Sequence, residues 1–238
     1  MTTPARMAWP RLAITAATAL LSLTSLTLPA HATIARAAAM APENGALSSA
    51  DLLAATATCH QVSYGTYRNS MTKTPVPVCG GVNGAYLWTS AMTIDCDGQR
   101  TIQCNRSADD HFKNDTAVHR SDYQPFDAAV TPYVVLPKQS NTWNYTTAGI
   151  RPGEVVAVIY QGQVEYAVSG DTGAEEKIGE ASYATATALG INNNPNHGGV
   201  PAGVTYIVFP HTRPAVVENH DQAIANGRAA AAAFANHG

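Results

Sequence analysis

Past residue 28 the chain has no long apolar run, so nothing beyond its first stretch reads as a membrane span. The 238 residues contain no Cys-x-x-Cys, and the spacing of the four cysteines fits no zinc signature. There is no Gly-x-Ser-x-Gly. His111, His119, His197 and His211 therefore have no nucleophile elbow to serve in Ser–His–Asp hydrolysis. No internal repeat is present. Positive charge is scarce too. With Arg6 and Arg11 removed, 12 basic residues face 17 acidic ones, a net of −5. A mildly acidic chain argues against nucleic acid or an anionic membrane surface as partner, and tolerates a cationic one.

What is present begins with a processing segment. Arg6 and Arg11 precede an apolar stretch from Leu12 to Leu28 that is broken only by Ser and Thr, and Ala30-His31-Ala32 supplies a small-x-small cleavage site. Residues 1–32 read as a secretory signal peptide, and the remaining 206 suit one domain with a tail. Residues 33–57 read as an Ala-rich, partly disordered lead-in, with Ser49-Ala50-Asp51 capping a short helix that runs to Ala57. Four cysteines in a secreted chain point to two disulfides. Cys59–Cys79 and Cys96–Cys104 are favoured because each is local, although three pairings are possible.

The centre of the chain is Glu154–Ala184. Val155–Tyr160 and Gln163–Ser169 read as strands joined by Gln161-Gly162, a hairpin signal. Val164, Tyr166 and Val168 share an apolar face. Gln163, Glu165, Ala167 and Ser169 share the other, and the same count puts Asp171 on that polar face as the strand ends. Nine residues on, Glu180 precedes an Ala/Thr/Leu run, about Ala181–Leu189, that reads as a helix. Glycines beside both acids let backbone or ligand come close. Two carboxylates in one such turn are what glycoside hydrolysis needs, one to protonate the leaving oxygen and one to activate water. The plainer reading is turn chemistry for Asp171 and helix N-terminal preference for Glu180. Glu175 and Glu176 are rivals for the second acid, but their place in a charged tip with Lys177 suggests solvation.

Elsewhere Ala85–Ile94 reads as a core strand ending in Asp95-Cys96-Asp97-Gly98. A calcium loop needs further oxygen ligands in register, and Gln99, Thr101 and Gln103 do not supply them. A tight turn beside a disulfide is preferred, with a site for substrate amines as the functional option. Seven of the 17 acids fall between Asp95 and Asp127, which suits a solvated loop or an acidic wall for a polycation equally well. Thr101–Cys104 reads as a returning strand, Tyr133–Leu136 and Val204–Phe209 as buried strands, and Ala215 to about Phe234 as a helix. Trp143 and Tyr145, in a polar loop, are candidate stacking surfaces for sugar rings. The whole reads as mainly β, with roughly six strands, long loops and two or three helices, in a small barrel or a sandwich.

These segments together resemble glycoside hydrolase family 75, the fungal-type endo-chitosanases. The likeness rests on Tyr86–Gly98, Asn114-Asp115-Thr116, Pro132–Val135, Gly170-Asp171-Thr172-Gly173, Ile178–Ser182 and Gly203–Phe209, in the family's order. It implies a six-stranded β-barrel of the double-psi type and hydrolysis of internal β-1,4 bonds of chitosan with inversion. It implies an essential Asp and an essential Glu, which fall on Asp171 and Glu180. Ala174 stands where the family usually has Pro. The expected roles are Glu180 as general acid, with its pKa raised by burial, and Asp171 as general base, about 6.5–9.5 Å away. Asp95, Asp97, Asp115 and Asp127 are the acids expected to meet the substrate's ammonium groups. No metal or organic cofactor is required. A secreted monomer is expected, with residues 58–214 as the catalytic domain and 215–238 as a C-terminal helix and tail. Two other readings keep the sequence features: an inverting hydrolase of another β-1,4 glycan, and a secreted polysaccharide-binding module without catalysis.

Overall fold

The computed structural model describes residues 47–80 and 84–236. The leader, its cleavage site and the lead-in to residue 46 lie outside the described residues. Helix α1, Ser49–Ala55, is capped by Ser48, one residue earlier than expected. The Ser48 hydroxyl accepts from the Asp51 amide while the Asp51 carboxylate accepts from Ser48, a capping box that closes both orphan donors. Short strands β1 (His60–Gln61), β2 (Tyr67–Asn69), β3 (Pro75–Val76) and β4 (Cys79–Gly80) follow. Longer ones come next: β5 (Tyr86–Asp95), β6 (Tyr133–Leu136), β7 (Val155–Tyr160) and β8 (Gln163–Thr172). The chain ends with β9 (Lys177–Ile178), β10 (Glu180–Ser182), helix α2 (Tyr183–Ala188), β11 (Val200–Val208) and helix α3 (His220–Ala235).

The architecture is a closed barrel, mostly β with three helices among the described residues. Its strands run β5-β10-β6-β8-β7-β11, and β11 pairs back onto β5. Closure comes from β11, which hydrogen-bonds β7 along one edge and β5 along the other. Strands β4 and β1 extend the sheet beyond β5, and β3-β2-β9 form a separate small sheet. The β7–β8 turn is the expected one, with both Gln161 (φ 45°) and Gly162 (φ 83°) left-handed.

Two packed sets follow from the strand alternation. Trp88, Met92, Val134, Val158, Ala167, Ala181 and Tyr206 form one cluster. Leu87, Tyr133, Val135, Ala157, Tyr166, Val168 and Ile207 form another, together with Ala223, Ala231 and Phe234 of α3. A barrel this small holds side chains and no helix, so the set that meets α3 is the outer one. Strand β8 is therefore buried on both sides, and the face expected to be polar is not solvated: Glu165, Ala167 and Ser169 are at most 1 % exposed. Glu165 is hydrogen-bonded to His220 at 2.7 Å.

Both favoured disulfides are formed, Cys59–Cys79 and Cys96–Cys104. The expected strand at Thr101–Cys104 is not. That segment is a series of bends, with Asn105 bonding back to the carbonyls of Thr101 and Ile102, and Ile102 is 93 % exposed. The C-terminal helix begins at His220, with Asn219 as its cap, later than Ala215. No described helix is long and apolar enough to cross a membrane.

Helix α3 is seated by a contact that reverses an ordinary rule. A Cβ at Gly227 would lie 2.3 Å from Tyr166 Cδ1 and 2.9 Å from Val155 Cγ1. Gly→Ala in a helix usually stabilises by about 1 kcal/mol. Here Gly227→Ala is expected to destabilise by about 1–3 kcal/mol, because the helix must lift off the hairpin. The urea midpoint would check the sign.

Candidate active site

The registers of four strands bring the two acids together. Glu180 opens β10 and pairs with Thr93 of β5 in parallel, while Ala181 pairs with Val134 of β6 in antiparallel. One step along that antiparallel pair sets Glu180 beside Val135. On the far side of β6, Val135 pairs with Asp171 of β8. The two carboxylates thus flank one valine, with backbones two strand spacings apart, roughly 9.6 Å. Glu180 was expected at a helix start. It lies on a strand, and α2 begins three residues later behind the Ser182 cap.

Asp171 reaches this face through an irregularity. Val134 pairs with Ser169, yet Val135 pairs with Asp171, so Gly170 is an extra residue in β8. Strict alternation would have put Asp171 on the face of Ala167 and Ser169, inside the barrel. The bulge turns it outward, to the face of Val135. Only glycine fits there, since a Cβ at Gly170 would lie 2.6 Å from Tyr133 Cβ and 2.9 Å from Phe126 Cδ2. Asp171 Oδ1 is then held by the amides of Ala117 and Thr172, both at 2.8 Å. Gly179 (φ 104°) does the same service for Glu180. A Cβ there would stand 2.6 Å from the Ala91 carbonyl, and its own carbonyl accepts from the Thr93 amide and from Ser70 Oγ.

Burial governs the electrostatics. Desolvation pushes Glu180 up to about 7 and Asp171 up to about 6. In Asp171 two amide hydrogen bonds pull the other way, and in Glu180 the Lys177 charge does. Asp95 is pushed well above the carboxylate range by burial first and then by Glu180, Asp171 and Asp97. One of its oxygens accepts from the Asp97 amide at 2.7 Å. Asp97 accepts from the Lys113 amide at 2.6 Å and from the Lys113 ammonium at 3.0 Å, and that bond raises the lysine. Behind them the Tyr133 hydroxyl donates to the Asp97 carbonyl, which fixes the turn to β6.

Asp95, Asp97, Glu180 and Lys113 line a cleft of ≈ 210 Å³, with Ser70, His111 and Lys177 on its walls. A larger hollow of ≈ 260 Å³, between Asn69, Thr74 and Pro201, holds no acid or base and is set apart from this chemistry. Asp95, Asp97 and Asp171 each offer an oxygen within 4.8 Å of the others, a set able to hold a cation. The cation supplied by the chain itself is the Lys113 ammonium. Asp95 ends β5, the chain bends at Gly98, and Cys96 is in a disulfide, so the segment is a bend rather than the expected tight turn.

The remaining sequence candidates lie elsewhere. Asp115 is exposed and bonded to His119 at 2.7 Å, which holds its carboxyl below the usual range. Asp127 caps its own turn through the Ala129 amide. Neither lines the cleft. Trp143 and Tyr145 are not exposed surfaces for a sugar. At 6 % and 3 % exposure they are buried, Trp143 against Tyr86 and Trp88, and Tyr145 against Trp143. Glu175 and Glu176 are exposed, and Glu175 pairs with Lys138 at 3.4 Å. No local pattern in the sequence ties Lys113 to Asp97, sixteen residues earlier.

A family model described as fungal chitosanase of glycosyl hydrolase group 75 matches residues 92–236. Among curated proteins, an endo-chitosanase of Aspergillus fumigatus is 32% identical over 145 residues, covering 55% of this chain and 60% of that protein. Endo-chitosanase B of Aspergillus oryzae is 29% identical over 147 residues, covering 55% and 61%. The chain thus spans about three-fifths of the length of the curated relatives it matches.

The bulge can be tested directly. Gly170→Ala is expected to lower stability by about 1–3 kcal/mol through overpacking against Tyr133. It should also lower turnover further than the folded fraction, read by circular dichroism, accounts for, since Asp171 loses its aim.

Proposed function

The chain belongs to the fungal chitosanases of glycosyl hydrolase group 75, and from that premise we propose that it is a secreted enzyme cutting internal β-1,4 linkages of chitosan with inversion. Glu180 is the general acid and Asp171 the general base. One observation carries this reading: two carboxylates flank Val135 on one outer face, and burial raises both, the glutamate further. Inversion is what the family resemblance implies, and an inverting pair would hold its carboxyl groups about 6.5–9.5 Å apart, with room for water between acid and base.

In the proposed step, Glu180 gives its proton to the glycosidic oxygen as the C1–O bond breaks. Asp171 takes a proton from a water whose oxygen forms the new bond to C1 from the opposite side. Glu180 ends ionised and Asp171 protonated, and exchange with solvent restores both. Asp97 receives a substrate ammonium. Asp95, buried and raised, is better suited to hold a proton than to act as a counter-ion. The scheme needs no cofactor. The two disulfides support an oxidising compartment and hence export. The catalytic unit is taken as residues 58–214, with α3 packed on its outer face.

Proton NMR of the first products from chitosan tests the reading, the α-anomer appearing first for inversion. Chitin and a neutral β-glucan, assayed for new reducing ends, separate it from action on another polymer. Binding without cleavage would make the chain a binding module.

The pKa values set a pH window with a definite sign. Activity requires Asp171 ionised and Glu180 protonated. It should fall below about 6 as Asp171 takes up a proton and above about 7 as Glu180 loses one. A pH series of kcat/KM reads both limbs in the free enzyme.

The same shifts link to stability. A carboxyl raised on folding releases its proton in the unfolded chain first. Stability therefore falls as pH rises from about 4 toward 7, and ionising these groups destabilises the fold. Glu180→Gln and Asp171→Asn should each cut turnover by about 10²-fold or more. Each should also raise stability at pH 8 by about 1 kcal/mol. A melting series at pH 4 and pH 8 should show the gain at the higher pH only.

A further inference from the structure

Lys113 holds Asp97 through two groups that are tied down to different degrees. Its main-chain amide donates to Asp97 Oδ1 at 2.6 Å, and its carbonyl accepts from the Gly98 amide at 2.9 Å. These bonds fix the loop to the turn whatever the side chain does. Its ammonium meets Oδ2 at 3.0 Å on a side chain 77 % exposed, while the Asp97 side chain is 10 % exposed. The ammonium can therefore leave without moving the loop. The lysine end of the pair stands in water, which screens it, and release returns rotamer freedom to a long side chain. The carboxylate left behind would be buried, among acids, and in need of a cation.

We propose that Lys113 is a built-in stand-in for the substrate's own ammonium, seated on Asp97 in the free protein and displaced when a deacetylated sugar unit enters the cleft. Both partners in the exchange are primary ammonium groups, so the charge and the N–H donors facing Asp97 are kept. An acetamido group is neutral and offers one N–H, so it does not compete for the carboxylate. The exchange makes Asp97 a subsite that selects glucosamine over N-acetylglucosamine. This inference rests on the hydrolase reading above and deepens it.

The test uses the full chain carrying Glu180→Gln, which binds without cutting. Lys113→Met and Lys113→Arg are added to it in turn. Calorimetry then gives the affinity for a glucosamine hexamer and for an N-acetylglucosamine hexamer. Lys113→Met is expected to bind the glucosamine hexamer about two- to fivefold more tightly, with the acetylated hexamer unchanged. Lys113→Arg, which keeps a cation on Asp97, should bind glucosamine no more tightly than the parent. Weaker binding by Lys113→Met would mean that Lys113 holds the sugar itself, and overturns the proposal. So does an unchanged affinity, or an equal gain for both hexamers, which would make Lys113 a mere obstruction. The hydrolase reading fails separately, if the wild-type chain releases no reducing ends from chitosan.

Discussion

Between β6 and β8 the pairing slips by one residue, and the site depends on that slip. Gly170 is pressed against the ring of Tyr133 so closely that no side chain can stand there. The extra residue changes the parity of the strand and turns Asp171 from the barrel interior to its outer face. It also ties the long loop down. The Gly170 carbonyl accepts from Val118 at 3.0 Å, and the Asp171 carboxylate from Ala117 at 2.8 Å. Loop and strand are joined at the residue proposed as the base. Bulges at barrel rims commonly re-aim side chains in this way.

The second constraint is crowding of like charge. Burial raises Asp95, Asp171 and Glu180, and the neighbouring acids, Asp97 among them, add to it. Lys113 and Lys177 offset part of that charge. A fold gains nothing in stability from such an arrangement. A proton that is held at neutral pH and can be given up does gain from it, and so does a cationic substrate. The order of the shifts, Glu180 above Asp171, supports the proposed division into donor and acceptor. The aromatic residues contribute differently from what their loop position suggested. Trp143 packs on Trp88, Tyr145 on Trp143 and Trp88 on Tyr206, and neither Trp143 nor Tyr145 lines the cleft.

The sequence alone determined a good deal. The β7–β8 hairpin, the strands at residues 86–95 and 133–136, the short helix after Glu180 and both disulfides can all be read from local signals. Turn chemistry, alternation and cysteine spacing act over a few residues, and the chain carries them openly. Tertiary structure decided the rest, because it depends on residues far apart in sequence. Closure into a barrel needed β11 to reach β5, 115 residues earlier in the Tyr206–Ala91 bond. The face of Asp171 needed the slip against β6. The seat of Lys113 on Asp97, and the burial of the loop aromatics, needed neighbours that no window of the sequence contains.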